Sequence, residues 1–165
     1  MTATATFTDD ELLRAFCDAS LPTAAFHHQQ HVRVAWLFVT RVGMPEALRD
    51  FSTALKRFAD AKGATKLYHT TITWAFLLLI HERQARLPVV DWETFAAANP
   101  DLLRWKPSVL DELYAPGTLT NELARRVFVM PDAQTSSEPR SRHRRKHPAG
   151  LEDVSPRGVG PANTA

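Results

Sequence analysis

Residues 66–86 read KLYHTTITWAFLLLIHERQAR, and whether this stretch is helix or strand decides the fold. Thr70, Thr71, Ile72 and Thr73 are β-branched or hydroxyl-bearing, weak helix formers at home in a pleated surface. Against them stands continuity: the apolar run Ile72 to Ile80 passes into the charged HERQAR segment with no turn residue between. The stretch therefore reads as a helix from Lys66 to Arg86 that ends before Pro88. A membrane-spanning helix needs about 20 apolar residues, so this shorter run reads as a helix buried in a protein interior.

The segments on either side carry the same helical period. Thr8-Asp9-Asp10-Glu11 has the form of a capping box, and a first helix to about Asp18 places Leu12, Leu13, Phe16 and Cys17 on one stripe. A second begins near His27, with Val32, Ala35, Trp36 and Val39 on one side, and stops at Gly43. Pro45 suits the first turn of a third, in which Leu48, Phe51, Leu55 and Phe58 recur until Gly63. Beyond Pro88, Asp91 looks like the N-cap of a short helix through Ala98. An anchor of Leu102, Leu103 and Trp105 follows, then short helices near Ser108 to Tyr114 and near Asn121 to Val129. These elements predict an all-α fold, a compact bundle of five to seven helices over residues 7–132.

From Pro131 the composition changes, with five prolines in the last 35 residues and almost no large apolar side chain. Such a segment cannot offset its ordering entropy by burial, so residues 133–165 are expected to be a disordered, partly basic tail. Of the twenty Lys/Arg and eighteen Asp/Glu, six and four fall from Pro131 onward, leaving fourteen of each before it. A domain of zero net charge argues against nucleic-acid binding, apart from weak contacts by the Arg140 to His147 run. The lone Cys17 allows no internal disulfide, and the N-terminus lacks the pattern of a secretory signal, so a reducing cytoplasm is the expected location. No glycine-rich phosphate loop, CxxC pair or nucleophile elbow is present, which leaves nucleotide, zinc-finger and serine-hydrolase readings without support.

The chemistry-bearing residues are histidines. On a helix, His31 lies about 60° around from His28 and about 40° from His27, so either can share its face. Two imidazoles one turn apart can hold a divalent metal, and a third from another element would leave a position open for water. His69, at the start of the buried-looking helix, is the natural third, with Thr73 about 40° away to hydrogen-bond its ring or a ligand. The structural alternative is that these histidines cap helices, or that His69 is a core residue bonded to a carbonyl or to Tyr68. The four tryptophans, Trp36, Trp74, Trp92 and Trp105, read as core, Cys17 as inert packing and Arg125 as half of a surface ion pair.

The stretches Phe26-His27-His28-Gln29-Gln30-His31-Val32 and Tyr68-His69-Thr70-Thr71-Ile72-Thr73-Trp74 resemble the two signature segments of a family of small uncharacterised bacterial helical proteins. There an aromatic-x-His-x-x-His-Leu helix start is followed by Tyr-His-Glu-Thr-Ile-Thr. The resemblance extends over residues 7–132, through Asn99-Pro100-Asp101-Leu102-Leu103, Ala124-Arg125 and Pro131-Asp132. It selects His28 and His31 over His27 and adds Tyr68, His69, Thr71 and Thr73. Thr70 stands where that family has glutamate, so a carboxylate there is missing, and Glu82 or Asp101 would have to supply one.

Two functions follow as expectations. One is a metal-dependent enzyme, hydrolytic or lyase-type, with zinc or iron on His28, His31 and His69 and a small polar substrate positioned by Tyr68 and Thr73. The other is a metal-free module in which the same histidines hydrogen-bond a small ligand, favoured by Thr70 in place of glutamate.

Overall fold

The computed structural model describes residues 7–133; all but the first residue of the expected 133–165 tail, including its basic run, lies outside the described residues. The described residues form six α-helices: α1 (Asp9–Cys17), α2 (His28–Val42), α3 (Met44–Ala61), α4 (Thr70–Arg86), α5 (Trp92–Ala98) and α6 (Glu122–Arg126). Among the described residues there is no strand. The all-α bundle is thus what forms, and the decisive stretch is a helix.

Local chemistry explains the boundaries. Thr8 and Glu11 form the capping box: Thr8 Oγ1 accepts from the Glu11 N–H at 3.3 Å, and Glu11 Oε2 accepts from the Thr8 N–H at 2.9 Å. Gly43, at φ +80°, is both the C-cap of α2 and the N-cap of α3. One left-handed residue, cheap only for glycine, separates two long helices. Gly63, at φ +67°, follows α3 in the same way.

The start of α4 differs from the periodicity. Residues Thr65–Leu67 make a single 3₁₀ turn, Tyr68 is extended, and the helix begins at Thr70 rather than Lys66. Capping is the reason: the His69 ring accepts the Ile72 N–H at 3.3 Å, which satisfies a donor that a helix start would otherwise leave free. Further on, the helix expected near Ser108 to Tyr114 is one 3₁₀ turn, Val109–Glu112, and the last helix is only Glu122–Arg126.

Helices α2, α3 and α4 pack on one another, α1 lies on α2 and α3, and α6 lies on α4. Phe16 of α1 is fully buried at the centre of a ring cluster, 5.2 Å from Phe26, 5.7 Å from Phe51 and 5.4 Å from Phe58. Burying each such ring contributes about 1.5–3 kcal/mol, so these contacts fix how α1 and α3 meet. A second aromatic group joins Trp36 of α2 to Trp92 and Phe95 of α5 at 5.9 Å. Trp105 departs from the core reading: it is 55% exposed.

Thr71 ties the C-terminal segment to α4. Its side chain is fully buried, with Oγ1 2.7 Å from the Ala124 carbonyl and 2.8 Å from that of Val127, and it accepts the Val129 N–H at 3.0 Å. A β-branched residue that looks wrong for a helix is thus placed for its hydroxyl. Arg125 adds a second tie, donating to the carbonyl of Lys66 at 2.8 Å beside a 3.6 Å ion pair with Glu122. No helix among the described residues is long and apolar enough to cross a membrane.

Candidate functional site

A cavity of about 450 Å³ lies between α2, α3 and α4. Its wall takes Val32 and Ala35 from α2, Phe51, Leu55 and Phe58 from α3, and Ile72 and Phe76 from α4. Thr23, Leu67 and Trp105 also line it and are exposed, which places its mouth at these three residues. Of the six residues singled out from the sequence, His28, His31, Tyr68, His69 and Thr73 line this one cavity, and Thr71 does not, its hydroxyl being taken up by the C-terminal segment. His27 does not; it is the exposed N-cap of α2.

His28 donates from Nε2 to the carbonyl of Leu102 at 2.9 Å, which leaves Nδ1 as the acceptor of a neutral ring. Burial lowers its pKa, partly offset by that hydrogen bond. His31 is more strongly affected: burial, with the neighbouring His28 adding to it, pushes its pKa down to about 4. At neutral pH it is an uncharged imidazole. Its ring stacks on Phe26 with centroids 3.7 Å apart, and, unlike the rings of His28 and His69, neither of its ring nitrogens is hydrogen-bonded among the described residues. Polar capacity therefore remains available on the cavity wall.

His69 is otherwise engaged. Nδ1 accepts the Ile72 N–H, and Nε2 donates to the carbonyl of Leu119 at 2.9 Å. Both nitrogens of a neutral ring are thus occupied. Burial is again the main reason its pKa falls, and the bond to Leu119 opposes it.

The expected metal centre does not fit this arrangement. A metal on His69 would have to displace either the N–H that caps α4 or the proton that Leu119 accepts. Among the described residues no group of three or more His, Cys, Asp and Glu is placed to hold an ion. Thr73 also does less than its spacing suggests, because the ring nitrogens of His69 are bonded elsewhere; it stays a buried wall residue. The substitute carboxylates lie elsewhere too: Asp101 pairs with Arg83 at 2.8 Å, Glu82 pairs with Arg86, and neither lines the cavity. Thr70 donates to the carbonyl of Arg126 at 3.2 Å, so its hydroxyl also serves the α4–α6 contact.

Several wall residues stand out in the sequence only as apolar faces or anchors, not as neighbours of the histidines. Phe76 follows His69 by seven residues, about 20° around the helix, and could have been read from that face. Leu55, Phe58 and Lys62, at i, i+3 and i+7, share a face of α3 and its C-cap, another legible stripe. Trp105 gave no such signal; it reaches the cavity through the long connection after α5, with its ring 5.2 Å from that of His28.

No protein-family model matches this chain, and no curated protein or solved structure matches it either. The functional reading rests on the cavity.

Proposed function

We propose that this protein is a metal-free binding module for a small, largely apolar molecule, held between α2, α3 and α4 with His31 as its hydrogen-bonding contact. The observation that carries this reading is the state of His31: a neutral imidazole without a hydrogen-bond partner among the described residues, on the wall of a mostly apolar cavity. Binding pockets for small organic molecules have this composition and size, about 300–1,000 Å³ with a few polar groups that fix orientation. A general base works best with a pKa near the operating pH, and His31, pushed down to about 4, is poorly matched to that task. Tyr68 and Thr73 are wall residues in this reading, contributing shape and hydroxyl contacts.

The test is a thermal-shift screen of small apolar molecules against the protein and against Leu55→Trp, which fills the cavity from α3. Ligands should raise the melting temperature of the wild type and not of the variant, with EDTA or zinc leaving both unchanged. A hit that stabilises Leu55→Trp equally would place binding elsewhere.

The metal-dependent enzyme remains the second reading, favoured by one observation: His28 and His31 are a turn apart and His28 keeps Nδ1 unengaged. In it zinc or iron would rest on these two rings. Elemental analysis giving about one zinc or iron per chain, lost in His28→Ala, would reverse the order of the two readings.

A further inference from the structure

Among the described residues, Lys62, the C-cap residue of α3, carries the one formal charge on the cavity wall: no described Asp, Glu or Arg lines it, and the three histidines are held toward the neutral form. Lys62 is half-buried and has no carboxylate within ion-pair distance among the described residues. Its ammonium sits 5.4 Å from the centroid of the Phe58 ring, itself part of the wall. A cation placed on an aromatic wall without an opposing charge has a structural use, since lysine near a helix C-terminus meets the negative end of the dipole. That use does not require its side chain to reach a cavity.

The apolar wall has its own character. Rings from Phe26, Phe51, Phe58, Phe76, Tyr68 and Trp105 contribute to it, more than any aliphatic type. Flat π-faces favour a flat partner, because stacked and edge-to-face ring pairs gain beyond their buried area.

Resting on the cavity being a ligand site, we propose that its ligand is a planar aromatic monoacid: the ring system lies among the phenylalanines and the carboxylate pairs with Lys62 near the mouth. The neutral His31 then contacts the ring system or a single polar substituent on it. A charge-assisted hydrogen bond in a partly buried setting discriminates a carboxylate from its neutral analogue by about tenfold or more.

The experiment uses three probes of similar size: 2-naphthoate, its neutral counterpart 2-naphthalenemethanol, and the flexible aliphatic acid decanoate. Each is titrated into the full chain by calorimetry, and into Lys62→Gln and Lys66→Gln. Lys66 is exposed and does not line the cavity. The proposal expects 2-naphthoate to bind wild type and Lys66→Gln at least tenfold more tightly than the alcohol, and that preference to vanish in Lys62→Gln while the alcohol's affinity stays put. Equal affinities for acid and alcohol overturn the role of Lys62 and leave the cavity reading standing. Tighter binding of decanoate overturns the aromatic class alone. If none of the three binds, and the screen against Leu55→Trp also finds nothing, the cavity reading falls with the proposal.

Discussion

The depressed pKa of His31 makes folding stability depend on pH in a way that can be isolated. In the folded protein the ring takes up a proton only near pH 4, against an ordinary value of 6.5 once the chain unfolds. Between those values the unfolded chain binds a proton that the folded one refuses, so stability falls as pH drops from about 6.5 to 4 and is fully present above. At about 1.4 kcal/mol per pH unit, the group costs about 3 kcal/mol by pH 4. The perturbation is His31→Gln, a neutral residue that cannot titrate; it loses the stacking on Phe26 and lowers stability at every pH, but only the slope matters. Urea unfolding of both proteins at pH 8, 7, 6, 5 and 4 supplies that slope, and carboxylates and the other histidines cancel in the difference. The wild type should lose about 3 kcal/mol more than His31→Gln across this range. Parallel pH profiles would refute the reasoning, as would an NMR titration of the His31 ring with a midpoint above pH 6.

Three further outcomes follow from the same contacts. His69→Ala removes the cap of α4 and leaves the Leu119 carbonyl without its donor, and should cost about 2–3 kcal/mol in urea unfolding; His69→Asn, a good N-cap, should recover about 1 kcal/mol of that. Thr71→Val strips the hydroxyl from a fully buried site and leaves the Val129 N–H and two carbonyls unpaired, for a loss of about 2–3 kcal/mol. Hydrogen exchange at the Val129 amide should accelerate in that variant while amides of α2 do not. Phe16→Ala empties the centre of the phenylalanine cluster and should cost about 3–5 kcal/mol, read as a fall in the urea midpoint without change in slope.

The helices that carry the fold were legible because burial imposes a period that survives in the residue pattern. Leu12 and Phe16 on α1, and Phe51 and Phe58 on α3, repeat at helical spacing and are buried where that spacing puts them. The spacing of His28 and His31, with His69 on another helix, pointed to one place in the fold, and all three line the cavity. What spacing could not give was the direction of each nitrogen. The fate of His69 depends on the Leu119 carbonyl, fifty residues away, and on the local N–H of Ile72. A turn start and a metal ligand ask for the same residue at the same place, so the two readings part only when the partners are known. Trp105 escaped for a related reason: its exposure and its contact with His28 depend on the course of a connection that has no period to read.

A single measurement bears most directly on the cavity between α2, α3 and α4 as a ligand site that works without metal. It is a ¹⁵N-resolved NMR titration of the EDTA-treated protein with 2-naphthoate. Shifts should concentrate on the His31, Ile72 and Phe76 amides and the Trp105 indole, with the amides of Glu93 and Thr94 on α5 unmoved, and they should survive the chelator in full. Shifts centred on α5, or a response that appears only after zinc is restored, would contradict the account.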